Sequence, residues 1–113
     1  MKEYFTVSEM QCPCCKVSSM TNAFMEMLNA AREYADIPFR ITSGYRCPDH
    51  NQKIGSTSTN HVNGRAADIA CLSGEGRLIV VHALLQAGFR RLGIGKRFIH
   101  CDTNGVINSI WLY

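Results

Sequence analysis

The stretch TNHVNGRAAD, residues 59–68, joins two side chains that can bind a metal ion, His61 and Asp68. His61 ends a long polar segment, and Asp68 follows within a short apolar run that predicts a strand. Gly64 between them permits a sharp turn, and the small side chain of Ala66 leaves one face of that strand clear. Because a neutral imidazole and a carboxylate are both zinc ligands, the stretch predicts part of a metal site on a turn and the following strand.

A second stretch, FIHCD at residues 98–102, also has the character of a strand. Side chains alternate across a strand, so His100 and Asp102 share one face while Ile99 and Cys101 share the other. His100 is the candidate third ligand, which would leave a fourth position of zinc open for water, as in catalytic sites. Asp102 on the same face would orient that water or take its proton.

Each of these four side chains also has a simpler structural interpretation. His61 fits an exposed loop, Asp68 fits a partner for loop amides, and His100 fits a hydrogen-bonded core histidine. Asp102 fits the cap of the turn at residues 103–105, which suits an Asp side chain well. Residue types and spacing alone leave both interpretations open.

Length and composition indicate one ordinary globular domain spanning residues 1–113. Apolar residues make up 46% of the chain and charged residues 19%, which excludes the disordered and fibrous classes. The net charge is only +3, and the basic residues are spread along the chain without forming a run, so we expect no nucleic-acid partner. The chain has no apolar stretch long enough to span a membrane, so we expect no membrane insertion. It also lacks the apolar core of a secretory signal near its N-terminus, so we expect it to be made in the cytoplasm.

Hydrophobic periodicity predicts an α+β fold in which two main helices pack on a small, mainly antiparallel sheet. The first helix is expected at about 20–35, and the second at about 75–87, where apolar residues nearly all round the helix indicate burial. Strands are expected near 39–42, 65–70, 90–94, 98–102 and 106–112. The turn at Asn104-Gly105 predicts a hairpin between the last two strands, with Trp111 and Tyr113 packing in the core or at the sheet edge.

Six cysteines are unusual in a chain of 113 residues, and three of them crowd at positions 12, 14 and 15. Thiols in a reducing compartment usually stay free or bind metal, so free thiols are favoured over a cysteine-bound metal and over disulfides. Cys12-x-x-Cys15 has the spacing of half a zinc knuckle, but Cys47, Cys71 and Cys101 each stand alone. We expect Cys71 and Cys101 to be buried, inert thiols, while the role of the N-terminal cluster stays open.

Three blocks of sequence occur in a recognisable order. They are Ser43-Gly44-Tyr45-Arg46, then Thr59-x-His61-x-x-Gly64-x-Ala66-x-Asp68, then Phe98-Ile99-His100-Cys101-Asp102. Together they resemble the zinc D-Ala-D-Ala carboxypeptidase family, which includes phage-type L-alanyl-D-glutamate endolysins, murein endopeptidases and, more remotely, the zinc-bearing hedgehog signalling domain. The resemblance runs from about Cys12 to Trp111 and implies the hedgehog-like α+β fold of these peptidases.

By position, the resemblance implies that His61, Asp68 and His100 are three zinc ligands. It also implies that Arg46 holds the carbonyl or carboxylate of the substrate, and we place the neighbouring Tyr45 in the same substrate-binding set. Chemistry agrees with the role of the arginine, because a guanidinium beside the metal would stabilise the oxyanion formed when the peptide carbonyl is attacked.

The chain departs from the family pattern in two places. Thr59 replaces a serine and keeps its hydroxyl, so it stays in the expected substrate-binding set. Arg97 and Phe98 stand where many members carry a catalytic Glu or His, and neither can serve as a base. Asp102 is the expected substitute, because the chain is most similar to murein peptidases with a His-x-Asp ending.

The resemblance predicts a zinc peptidase that hydrolyses D-amino-acid-containing peptide bonds of bacterial peptidoglycan, as a D-Ala-D-Ala carboxypeptidase or as a murein endopeptidase or endolysin. One catalytic zinc ion would activate the water that attacks the peptide carbonyl. The expected partner is a peptidoglycan stem peptide, and the expected state is a monomer. The small size is similar to that of phage lysis enzymes, which are made in the cytoplasm and act on the cell wall after release. The alternative is a non-catalytic zinc-binding module of the same fold.

Overall fold

The chain forms four helices and five strands in the computed structural model, which describes residues 3–56 and 58–113. In order, they are α1 (Val7–Met10), α2 (Asn22–Ala35), β1 (Ile41–Ser43), α3 (Pro48–Lys53), β2 (Ala66–Ala70), α4 (Gly74–Gln86), β3 (Arg91–Ile94), β4 (Phe98–Asp102) and β5 (Ser109–Leu112). The expected α+β class, with two main helices and a mainly antiparallel sheet, is confirmed. Within the described ranges, no helix is both long and apolar enough to cross a membrane.

Helix α2 has clear start and stop signals. The Thr21 hydroxyl accepts a hydrogen bond from the backbone N–H of Phe24 at 3.2 Å, which satisfies a free donor of the first turn. The helix ends at Asp36, whose left-handed backbone turns the chain just before Pro38. Phe24 and Leu28 lie on its buried face, where they anchor the hydrophobic core.

Helix α4 is only partly buried. Ser73 caps its N-terminus, and Val80 and Leu84 pack into the core against α2 and the sheet. Leu78, however, is 71% exposed, and Ile79 is also exposed. The expectation of a helix buried on every side is wrong, because α4 packs against its neighbours with one face and presents the other face to solvent.

The five strands form one sheet in the order β1-β2-β4-β3-β5. All neighbouring pairs are antiparallel except β3 and β5, which are parallel. The predicted hairpin between the last two strands is therefore wrong. Strand β4 is already paired on both sides, with β2 and β3, so the chain crosses over and adds β5 to the outer edge of β3.

The register of the central strands decides which side chains share a face. Asp68 of β2 lies directly opposite His100 of β4, and Gly93 of β3 lies opposite His100 on its other side. The neighbouring pair, Ile69 and Ile99, points to the opposite face and is fully buried in the core with the two long helices. One face of the sheet thus holds the core, and the other carries the polar residues.

A tight turn brings the chain into β2. Gly64 has a positive φ of 69°, and its N–H donates to the carbonyl of His61 at 3.3 Å. The carbonyl of Gly64 in turn accepts from the N–H of Thr21 at 2.9 Å, which ties the turn to the start of α2. A Cβ atom at this position would overlap the backbone oxygen of Ser19. Only glycine combines this backbone conformation with so close an approach.

We expect Gly64→Ala to lower the free energy of unfolding by about 3 kcal/mol or more, because it adds a backbone clash to the left-handed strain. Gly55→Ala is the matched control, since Gly55 has a similar φ of 75° and open space around it. That variant should lose only the strain, about 1–2 kcal/mol. Urea unfolding measures both variants, and equal losses would contradict the packing role of Gly64.

Candidate metal centre

Three side chains from separate elements converge on the polar face of the sheet. His61 comes from the turn before β2, Asp68 from β2 and His100 from the adjacent strand β4. One ligand atom of each lies within 4.8 Å of the others. Both histidines are buried and Asp68 is half-buried. The structure thus brings together the three residues that the sequence singled out as metal ligands, and two imidazoles with one carboxylate form a donor set that zinc accepts.

The ring of His61 is fixed by the backbone. Its Nδ1 lies 2.7 Å from the carbonyl oxygen of Gly44, and because a carbonyl only accepts, Nδ1 carries the proton. The other ring nitrogen, Nε2, faces Asp68 Oδ1 at 3.4 Å. Gly44 lies just after β1, so the end of that strand sets which nitrogen of His61 can bind a metal ion.

The ring of His100 is held from both sides. Nε2 lies 2.7 Å from Asp102 Oδ2, and Nδ1 lies 2.9 Å from Asp68 Oδ1. The Asp102 carboxylate also accepts from Arg91 Nε at 2.7 Å and from the backbone N–H of Asn104 at 3.1 Å, both at Oδ1. This arrangement uses Nε2 for the outward hydrogen bond and leaves Nδ1 as the nitrogen that faces the metal position.

Asp102 does not occupy the place expected of a general base. Its side chain is fully buried behind the ring of His100, and both carboxylate oxygens are engaged by protein donors. It shares the face of His100, as the alternation of the strand predicts, but the ring separates it from the metal position. The geometry gives Asp102 the job of orienting His100, rather than that of taking a proton from water.

The buried charges shift one another's ionisation. Burial opposes the charge of Asp68, but hydrogen bonds from His100 and His61 outweigh it and hold the pKa of Asp68 well below its usual range. Burial likewise disfavours protonated His100, yet its bonds to Asp102 and Asp68 prevail and raise the pKa of His100. The pKa of Asp102 is lowered, because bonds from His100 and Arg91 outweigh its burial. Without a metal ion, a protonated His100 thus neutralises part of the negative charge of Asp68 and Asp102. A bound cation would take over this role.

A cavity of about 280 Å³ opens over the three candidate ligands, and Arg46 forms part of its wall. Arg46 Nε donates to Ser43 Oγ at 3.1 Å and Nη1 donates to Asn51 Oδ1 at 3.4 Å, which fixes the guanidinium. Its Nη2 lies 3.7 Å from Asp68 Oδ2. Since a guanidinium has five N–H donors, others remain for a ligand in the cavity.

The other two residues of the expected substrate-binding set do not line this cavity. The described lining of the cavity does not include Tyr45 or Thr59. The N–H of Tyr45 donates to the carbonyl of Met10, and burial, together with the nearby cysteines, raises the pKa of its phenol. Thr59 is exposed, and its carbonyl accepts from the N–H of Asn63 at the start of the turn. Neither residue is among the described residues that line the cavity, and their part in substrate binding stays a prediction.

Several residues at the site were not found from the sequence. Asn51 is buried beneath Arg46 and donates to the carbonyl of Ser58 at 2.8 Å, which orders the polar segment. The rings of Trp111 and Tyr113 lie 5.6 and 6.4 Å from the ring of His100, and Tyr113 lines the cavity. Gly93 was the one sequence signal for these rings, since a glycine inside a strand often marks a place where another group approaches the backbone closely. A Cβ atom at Gly93 would clash with the rings of both Trp111 and Tyr113.

The family of the chain follows from a direct comparison. The model of the family described as Peptidase M15 matches residues 3–102, which includes all three candidate ligands and both central strands. The chain belongs to the peptidase M15 family. This match confirms the resemblance to the zinc D-Ala-D-Ala carboxypeptidases. A comparison with curated proteins gives no match.

The M15 family depends on zinc, and the residues of this M15 member fit that ion. His61 and His100 each have one nitrogen engaged by a protein acceptor and the other directed at Asp68. The low pKa of Asp68 keeps its carboxylate charged and ready to bind a cation. Three protein ligands would leave one coordination position open, which is the pattern of a catalytic rather than a structural zinc site.

We expect Asp102→Asn to weaken zinc binding at this site by about 10- to 100-fold, because an outward carboxylate orients the ligating histidine and raises its basicity. Competition titration with a chromogenic chelator measures the affinity. The same titration of Asp68→Ala, which lacks one ligand of this site, shows which part of the zinc binding belongs to the site. Asp36→Asn is the control, since it removes the same charge at an exposed helix end. Unchanged affinity in Asp102→Asn would contradict the orienting role.

Zinc affinity at this site should also depend on pH with a definite sign. Because the pKa of His100 is raised, its proton persists at pH values where a free histidine, with a pKa of about 6.5, has lost it. Zinc must displace that proton, so affinity should fall about tenfold per pH unit below the His100 pKa and level off above it. In Asp102→Asn the plateau should begin at a lower pH. An affinity that stays constant down to about pH 6 would contradict the shift.

Proposed function

We propose that this M15 peptidase hydrolyses peptide bonds that contain D-amino acids in the stem peptides of bacterial peptidoglycan. The observation that carries the proposal is the position of Arg46 beside Asp68, on the wall of a cavity that opens over two histidines and a carboxylate. A metal site alone would serve many reactions, but a fixed guanidinium beside it adds a binding point for a carbonyl or a carboxylate.

The chain's own residues supply orientation and charge. His61, Asp68 and His100 would hold the ion, and the buried Asp102 would keep His100 in the orientation that binding requires. When bound, zinc supplies a water with a pKa of about 7 and polarises a carbonyl, so ionisation at neutral pH does not require a strong base nearby. Arg46 would donate to the oxygen on which negative charge develops.

The cavity favours a short, anionic peptide. Its volume of about 280 Å³ suits a few atoms on either side of the scissile bond rather than a long folded substrate. Phe98 and Tyr113 provide an aromatic wall, and Arg46 provides a cation for the terminal carboxylate of a stem peptide. The preference for D-amino acids rests on the family resemblance, as does cell-wall lysis of the phage type as the biological setting.

A second candidate function, zinc binding without catalysis, is favoured by one observation. Among the described residues that line the cavity, Asp68 is the only one with a carboxylate, and it is itself a candidate ligand. Arg97 and Phe98 occupy the positions where many family members carry the catalytic base. A chain that binds zinc tightly but cleaves no peptide would support this second function.

Cleavage of defined stem peptides tests the proposal. The zinc-loaded chain is incubated with a stem pentapeptide and with a cross-linked stem dimer, and an all-L pentapeptide is the control; mass spectrometry identifies the products. We expect cleavage of at least one stem substrate and none of the all-L peptide, because the family resemblance implies a preference for D-amino acids. Zinc-loaded protein that cleaves neither stem substrate would contradict the proposal.

Removing the guanidinium tests its role separately. We expect Arg46→Ala to lower kcat/KM by about 10²- to 10³-fold, the usual cost of deleting one donor to a developing oxyanion. Arg40→Ala is the matched control, because Arg40 is exposed and outside the cavity lining. Equal activity in the two variants would show that Arg46 does not contact the reacting group.

A further inference from the structure

Four cysteines gather at one place outside the candidate metal centre: Cys12, Cys14, Cys15 and Cys47. The Sγ atoms of Cys14 and Cys47 lie 3.2 Å apart, and Cys12 Sγ lies 3.6 Å from each of them. With Cys15 included, all four sulfur atoms lie within 4.8 Å of one another. The sequence favoured free thiols because thiols in a reducing compartment usually stay free, and Cys47 stood apart from the N-terminal group. The fold nevertheless makes Cys47 the fourth member of the cluster.

The spacing of the sulfur atoms matches a tetrahedral metal site. A zinc ion with Zn–S bonds of about 2.3 Å separates its four sulfur ligands by about 3.8 Å. This is close to the 3.2 and 3.6 Å separations among Cys12, Cys14 and Cys47 and within the 4.8 Å limit that holds for all four. A disulfide would join only two of the four sulfurs and would need them at about 2.0 Å. A single central ion satisfies all four at once.

The backbone around the cluster is folded as a closed loop. The N–H of Cys12 donates to the carbonyl of Val17 at 2.7 Å, and the N–H of Lys16 returns a bond to the carbonyl of Cys12 at 2.8 Å. Lys16 adopts a left-handed φ of 59°, which is uncommon for a residue other than glycine. These bonds turn Cys12, Cys14 and Cys15 toward one point within a stretch of four residues.

Backbone amides also point at the sulfur atoms. The N–H of Cys47 donates to Cys12 Sγ, and the N–H of His50 donates to Cys47 Sγ, each at 3.4 Å. Such bonds stabilise thiolates, the form in which cysteine binds a metal.

We propose that Cys12, Cys14, Cys15 and Cys47 bind a second zinc ion, which has a structural role. Four protein thiolates leave no position open for water or substrate, so this site is closed. Binding releases the protons of the thiols and changes no oxidation state. The ion would join the N-terminal segment to the start of α3, next to Arg46, where the N–H of Tyr45 already donates to the carbonyl of Met10 at 2.8 Å.

Zinc content per chain separates this site from the candidate metal centre. The full chain, purified under reducing conditions with zinc, should contain about two zinc ions, whereas Cys47→Ser and Asp68→Ala should each contain about one. Cys71→Ser is the matched control and should keep both, because Cys71 is a buried thiol outside the four-cysteine group, with its Sγ 3.7 Å from the carbonyl oxygen of Ser73. Cys14→Ser is a second test variant, since Cys14 is exposed and its replacement disturbs no core packing.

Cobalt identifies the ligands through an absorption band that the wild-type chain itself should show. Cobalt-substituted wild type and Asp68→Ala should both show the intense near-ultraviolet charge-transfer band of thiolate-bound cobalt, and Cys47→Ser should lose it. Full metal content in Cys47→Ser, a missing charge-transfer band in the wild type, or a disulfide among these four cysteines in the reduced preparation would overturn the proposal. None of these outcomes depends on peptidase activity, so the two proposals fail separately.

Discussion

Asp68 of β2 lies directly opposite His100 of β4, and the rest of the site depends on this pairing. Side chains alternate in a strand, so a shift of one residue in this pairing would turn either Asp68 or His100 into the core and bring Ile69 or Ile99 out to the polar face. Burial of those isoleucines against α2 and α4 therefore fixes the register. The hydrophobic core and the candidate metal centre are two faces of the same pairing.

Buried charge is tolerated at this face because each group has a partner. Asp102 is held by Arg91, by His100 and by a backbone N–H, and Asp68 is held by both histidines with Arg46 nearby. An unpaired carboxylate at such depth would be strongly destabilising. The chain thus arranges two layers: Asp68 faces the cavity, and Asp102 lies behind His100 and orients it. A carboxylate in that second layer supports a metal ligand, whereas one in the cavity would act on substrate.

The sequence predicted the parts of this account that depend on local spacing. Period-two alternation placed His100 and Asp102 on one face, and Gly64 marked the turn that brings His61 to Asp68. It did not predict which nitrogen of His100 each carboxylate contacts, because that depends on the tilt of a ring packed by Trp111.

Pairing of β5 with β3 and the approach of Cys47 to the N-terminal cysteines were also missed. Both join segments far apart in the chain, and no local pattern records such contacts.

Crystals of the zinc-bound chain, with anomalous scattering recorded at the zinc edge, test the central claim most directly. The account predicts a zinc ion about 2.0–2.2 Å from His61 Nε2, His100 Nδ1 and an oxygen of Asp68, with Asp102 still bonded to His100 Nε2. Zinc bound through His100 Nε2 or directly to Asp102, or no zinc between these residues, would contradict it.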